Sequence, residues 1–214
     1  MIKYERLGIF LSKPIAFLFV LIYLTQSVLI IYLVRDKFHL EKQIAFQQER
    51  ITELEEKLQI LQVIEDFQIG FTDEERGELA DVIFSECDRY DYDPLFLISM
   101  ILTESSFKRG QVSSMGAEGL MQIRPFVGQS LADKIGLDWQ ADSTLFKPDL
   151  NIRLGSLHLF EMILKFKDVR KAVISYNVGE TTLRSHMRLN KSLPKNYLNK
   201  VMKNYRMLKE RYQI

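Results

Sequence analysis

Residues Ile15 to Val34, IAFLFVLIYLTQSVLIIYLV, form a run of twenty positions without a charge. A helix needs about 20 apolar residues to cross a hydrocarbon core of ~30 Å, so this stretch sets the first constraint on the fold. Thr25, Gln26 and Ser27 weaken its centre, and a lone Gln is tolerated where it meets a partner helix. No amphipathic stripe marks the run as one face of a core helix. It exceeds the ~7–15 apolar residues of a cleaved leader, and no small-x-small cleavage site follows. An uncleaved signal anchor over 15–34 is the expectation, with a short N-terminus, 1–14, before it. Lys3, Arg6 and Lys13 precede the span and Arg35, Lys37 and Lys42 follow it, so basic residues barely fix its orientation.

The segment after the span, 35–69, is charged and lacks proline and glycine. Leu40, Ile44, Gln47, Ile51, Leu54, Leu58 and Leu61 fall at alternating spacings of four and three, an a/d seam broken once by Gln47. The flanking ERITELEEK resembles a solvated coiled-coil face. The segment reads as a helical stalk able to pair two chains; thirty residues at ~1.5 Å each would reach roughly 45 Å. A single amphipathic helix lying on its own domain is the alternative.

From Gly70 to the C-terminus the chain is long enough for a core of its own. TDEE at Thr72 is a capping-box pattern, with Thr72 and Glu75 satisfying each other's backbone donors ahead of a helix to Tyr90. Asp93-Pro94 opens a second helix, PLFLISMILTESSF, apolar nearly all round and therefore buried. A loop follows from Lys108 to Gly119, then helices from Pro125 to Lys134, over NIRLGSLHLFEMILKF, over DVRKAVISYN and from Lys195 to Arg211. Ser185 to Leu193 reads as loop. No alternating strand pattern stands out, and the fold class is all-α.

Charge excludes some function classes. Lys and Arg number 29 against 28 Asp and Glu, with no long basic run, so no nucleic-acid surface is expected. Cys87 alone rules out an internal disulfide framework and reads as a buried, inert thiol. Three scattered histidines give no metal-ligand spacing, and no cofactor motif is present.

Glu104 is the chemical anomaly. It sits near the end of an apolar helix, where burial disfavours the charged carboxylate and keeps it protonated near neutral pH. Glycosidic cleavage needs such an acid, because the departing sugar oxygen leaves poorly until protonated. Many glycosidases add a second carboxylate. None stands out here: Glu118 lies in the loop with nothing to fix it, and Asp133 and Asp138 read as surface residues. A lone acid points to substrate assistance, in which the sugar's N-acetyl group stabilises the cation.

Glu104-Ser105-x-Phe107, then Gly116-Ala117-x-Gly119-Leu120-Met121-Gln122-Ile123, then Tyr176-Asn177-x-Gly179, together with PDLNIRLG after Trp139, resemble the soluble-lytic-transglycosylase-like domain of the lysozyme-like superfamily. The match covers about Thr72 to Tyr205. It implies a lysozyme-like helical domain over 70–214 acting on peptidoglycan glycan strands, with Glu104 as acid and then as base in closing a 1,6-anhydro ring on N-acetylmuramic acid. It also implies substrate-binding roles for Ser113, Met121, Gln122, Tyr176 and Asn177, with Tyr176 facing the catalytic carboxyl. Val178, Glu180, His158 and Pro194 depart from the family's usual pattern. The same resemblance implies a bacterial inner-membrane protein with its N-terminus in the cytoplasm and its catalytic domain on the periplasmic face. A hydrolytic muramidase of the same fold, or a non-catalytic wall-binding scaffold, are the competing readings.

Overall fold

The computed structural model describes residues 13–68, 70–141 and 143–212, so most of the segment read as a cytoplasmic N-terminus lies outside the described residues. Eight α-helices follow in order: α1 (Lys13–Phe67), α2 (Asp73–Tyr90), α3 (Pro94–Glu104), α4 (Pro125–Ile135), α5 (Pro148–Phe166), α6 (Val169–Val178), α7 (Glu180–Arg188) and α8 (Asn196–Tyr212), with a 3-10 turn at Thr144–Phe146. No strand occurs among the described residues, only isolated bridges from Glu118 to Val112 and to Ile123. The chain divides into two compact units, one ending at Glu53 and the other beginning at Leu54.

In the first unit the helix is long and apolar enough to cross a membrane, and none of its apolar window is buried. Thr25 and Ser27 are satisfied along the helix itself: Thr25 donates to the Ile22 carbonyl and Ser27 to that of Tyr23. That removes most of the cost of placing them in an apolar stretch. Leu40, Ile44 and Ile51 are exposed.

In the second unit the last turns of α1 are not free stalk. Ile60, Val63 and Ile64 are buried in the core, on a different face of the helix from the exposed Leu54 and Leu58. Arg211 and Tyr212 of α8 both hold the Asp66 carboxylate. The compact unit therefore takes in the C-terminal end of the segment read as a stalk.

The capping box forms: Thr72 N–H donates to Glu75, and Glu75 N–H to the Thr72 hydroxyl. Asp93 caps α3 by accepting from Leu95 N–H, and Pro94 supplies the first helical position. Leu95, Leu97, Ile98, Met100 and Ile101 are wholly buried, so α3 is the central helix the apolar run requires. It packs against α8, while α5 packs against α2, α4 and α6.

Two elements differ from expectation. Helix α3 stops at Glu104, three residues short of Phe107, because Ser106 and Phe107 both adopt left-handed backbone (φ 53° and 56°) and turn Phe107 into the core. Part of the segment read as loop is α7, which buries only Leu183 and so shows no apolar stripe to read.

Candidate active site

Termination of α3 at Glu104 places its carboxyl at the helix C-terminus, inside a cavity of about 700 Å³. Burial pushes the Glu104 carboxyl up to about 7, against the opposing pull of a hydrogen bond from Tyr197. The negative end of the α3 dipole lies at the same place and further opposes ionisation. The Tyr197 hydroxyl donates to Oε1 across 2.6 Å. Burial and the neighbouring Glu104 hold the Tyr197 phenol far above its ordinary value, so it remains a donor. With Oε1 accepting, Oε2 is the oxygen left to carry the acid proton.

The loop opposite is built around Asn151, which is wholly buried on α5. Its amide donates to the carbonyls of Glu118 and Leu145, each at 2.9 Å, and its oxygen accepts from Met121 N–H at 2.7 Å. Gly119 has φ 78°, and a Cβ there would fall 2.1 Å from the Asn151 amide nitrogen, so only glycine lets the loop approach its pin. Glu118, expected to have no fixed orientation, is held through its backbone by Ile123 and by Asn151. Gln122 is forced to φ 50°, and its amide donates to the carbonyls of Gln111 and Gly119. Both its protons are then engaged, and its oxygen remains as an acceptor. The Ser113 hydroxyl accepts from Ala117 N–H at 2.9 Å, which leaves its own proton available.

Glu104, Ser113, Gln122, Tyr176 and Asn177 all line the one cavity. Met121 does not. Its side chain is wholly buried, lying so close to Gly155 that a Cβ there would come within 2.4 Å of its sulfur. It is core packing, and its backbone does the local work: the Met121 carbonyl accepts from the Tyr176 hydroxyl at 2.8 Å. The phenol bonded to Glu104 is therefore Tyr197, while Tyr176 ties α6 to the loop. Tyr197 and Asn151 carried no assigned role in the sequence, although KNYLNK and PDLNIRLG contain them.

Other lining residues complete the cleft. His158 packs its ring on Tyr176 with centroids 5.1 Å apart, and burial lowers it to about 4, so its imidazole is neutral. Met115 and Phe126 stand exposed at the cavity's edge. Two further carboxylates, Glu161 and Glu180, line it as well, but Lys134 holds Glu161 at 2.5 Å and Lys165 holds Glu180 at 2.9 Å. Glu104 is thus the carboxyl in the cleft suited to carry a proton at neutral pH.

Known proteins share the fold that holds this site. An inactive mutant of the lytic transglycosylase Slt from Pseudomonas aeruginosa superposes with a TM-score of 0.55 at 21% identity, over 62% of this chain and 24% of that one. The 70 kDa soluble lytic transglycosylase of Escherichia coli gives 0.54 at 19% identity, over 61% and 24%. These likenesses establish the lysozyme-like fold expected from the sequence. A protein assigned as a soluble lytic murein transglycosylase in Haemophilus influenzae is 35% identical over 85 residues, 39% of this chain. A transglycosylase of Enterobacteria phage PRD1 is 30% identical over 120 residues, 56% of this chain. The chain spans 14% and 40% of the lengths of those two relatives. The transglycosylase SLT domain model matches residues 81–199, which takes in the helix ending at Glu104, the loop pinned by Asn151, Tyr176 and Tyr197; the chain belongs to that family.

Proposed function

We propose that this protein is a membrane-anchored peptidoglycan lytic transglycosylase, cleaving the β-1,4 bond between N-acetylmuramic acid and N-acetylglucosamine with formation of a 1,6-anhydro product. The observation that carries this reading is the half-buried carboxyl of Glu104, raised to about 7 and held by Tyr197, in a cleft whose other carboxylates are committed to lysines.

In this reading Glu104 Oε2 gives its proton to the glycosidic oxygen as the bond to C1 of the muramic residue breaks, and the N-acetylglucosamine leaves with its 4-hydroxyl restored. The muramic acetamido oxygen stabilises the positive C1. Glu104, now an anion steadied by the Tyr197 hydroxyl, takes the proton of the C6 hydroxyl while O6 attacks C1. The carboxyl ends protonated, ready for another turn, and no water is consumed. Ser113 has a proton to donate and Gln122 an oxygen to accept, which suits them to hold the sugar's amide and hydroxyl groups.

The apolar run supports a single-pass anchor, with the catalytic domain on the outer face of a bacterial inner membrane, where peptidoglycan lies. The exposed Leu40, Ile44 and Ile51 support pairing of two chains along the stalk. Digestion of purified sacculi by the detergent-solubilised full chain, with mass spectrometry of the products, tests the activity. Muropeptides with 1,6-anhydro ends are expected, and Glu104→Gln should abolish their release. Reducing ends would establish a hydrolytic muramidase instead, and release undiminished in Glu104→Gln would remove Glu104 from the mechanism.

A further inference from the structure

We propose that Arg124 makes the cleft a reader of carboxylates, so that its preferred substrate is a glycan strand carrying anionic substituents rather than a neutral one. The inference rests on the reading of the cleft as a peptidoglycan site and adds the chemical feature that site selects.

The charges lining the cavity nearly cancel in pairs. Lys134 is joined to Glu161 at 2.5 Å, and Lys165 to Glu180 at 2.9 Å, with Arg184 on the far side of Glu180. Glu104 is largely neutral below pH 7. The remaining lining cation is Arg124, which forms no ion pair or side-chain hydrogen bond among the described residues. The wall of the cleft therefore carries a surplus positive charge on one identified guanidinium.

Nothing in the local fold accounts for an arginine there. Arg124 is the N-cap of α4, and its side chain makes no capping bond. A residue with an acceptor oxygen would satisfy a free backbone donor at that position, and the positive end of the helix dipole disfavours a cation. Its backbone is nonetheless well fixed. Ile123, immediately before it, pairs with Glu118 through two hydrogen bonds, and the Arg124 carbonyl accepts from Val127 and Gly128 at 2.9 Å. A fixed backbone carrying an exposed, unpaired guanidinium two residues from Gln122 fits recognition of a planar anion by two parallel N–H donors. On peptidoglycan that anion is a carboxylate, with two possible sources: the lactyl group of the muramic residue where no peptide is attached, and the acidic residues of the stem peptide.

The test uses the full chain in detergent, wild type against Arg124→Gln and Arg124→Ala. Because the side chain is exposed and unpaired, both variants should melt with the wild type. Three soluble strand preparations are compared: peptide-bearing strands, strands stripped of peptide by an amidase, and peptide-bearing strands whose carboxylates have been capped as neutral amides. Loss of a charge-assisted contact should lower kcat/KM about tenfold in either variant on the strands that carry the recognised carboxylate. Where the stem peptide supplies that group, capping its carboxylates should cost the wild type a similar factor and the variants almost nothing. A wild-type advantage that appears only after peptide removal assigns the lactyl carboxylate, and one seen on peptide-bearing strands and lost on removal assigns the stem peptide. Equal rates for wild type and variants on both peptide-bearing and stripped strands, or a wild-type advantage on peptide-bearing strands that capping leaves intact, would overturn the inference. Calorimetric binding in a Glu104→Gln background keeps the two readings separable. Arg124-dependent binding without wild-type cleavage would overturn the transglycosylase reading alone, whereas cleavage indifferent to Arg124 would overturn this inference alone.

Discussion

The hydroxyl of Tyr197, near the start of α8, donates across 2.6 Å to Oε1 of Glu104, the last residue of α3, joining positions 93 residues apart in the chain. The bond opposes the burial that raises the carboxyl, so the acid rests at about 7 rather than higher. An acid poised near the operating pH protonates a leaving group and gives up its proton with comparable ease.

Removing that hydroxyl should move the acid and slow it. In Tyr197→Phe the carboxyl loses its lowering contact, so the alkaline limb of the kcat profile should shift upward from about 7. The anion formed after proton transfer loses a donor worth about 1.5–3 kcal/mol, so kcat should fall roughly tenfold to a hundredfold. Measuring kcat from pH 5 to 9 on soluble strands separates this from general damage, since a misfolded variant would lose rate without moving the limb.

The same carboxyl should leave a mark on stability. Its folded-state pKa lies above the ordinary 4.5, so between pH 4.5 and 7 the folded chain holds a proton that the unfolded chain releases. Stability contributed by this group is therefore full below pH 4.5 and is lost as pH rises toward 7 and beyond. Glu104→Gln cannot ionise and escapes the loss. Its melting temperature should match the wild type near pH 4 and exceed it at pH 8, by an amount corresponding to roughly 3 kcal/mol at most. A difference that does not change with pH would mean that the carboxyl is not raised by burial.

Much of this site was legible in the chain, and the part that was not has identifiable causes. An acid ending an apolar helix, a glycine-spaced loop and a capping box at Thr72 are local patterns, each with a local cause. The end of α3 was not legible, because left-handed backbone at Ser106 and Phe107 needs no glycine here and leaves no trace in the apolar period. Tyr176 and Tyr197 are both tyrosines at helical spacing, and only the packing of α8 on α3 decides which phenol meets Glu104. Met121 sits beside a cleft residue, yet Gly155 on α5 opens a slot that draws its side chain inward.

Phe126 offers a change that should touch binding alone. Its ring is 67% exposed while lining the cavity, so the fold gains little from it. A pyranose presents an apolar face, and covering some 60 Å² of ring would contribute about 1.5 kcal/mol. Phe126→Ala should raise KM about tenfold on soluble strands, with kcat and melting temperature unchanged. A fall in melting temperature of several degrees would show instead that the ring supports the start of α4.

Asn151 should prove the most sensitive position outside the reacting groups. It satisfies three backbone groups at once: the N–H of Met121 and the carbonyls of Glu118 and Leu145. Asn151→Ala leaves all three without that partner in the interior and should cost roughly 3–5 kcal/mol. Asn151→Asp is the sharper test. It keeps an acceptor for Met121 but turns a carboxylate toward two carbonyl oxygens, so it should be at least as damaging as alanine. Both variants should lose activity beyond their loss of stability, because the loop they release carries Gln122 into the cleft. Thermal melts and kcat at a temperature where each variant remains folded measure the two effects separately. A stable, active Asn151→Asp would mean that the loop holds its shape through Gly119 and the Glu118–Ile123 pair alone.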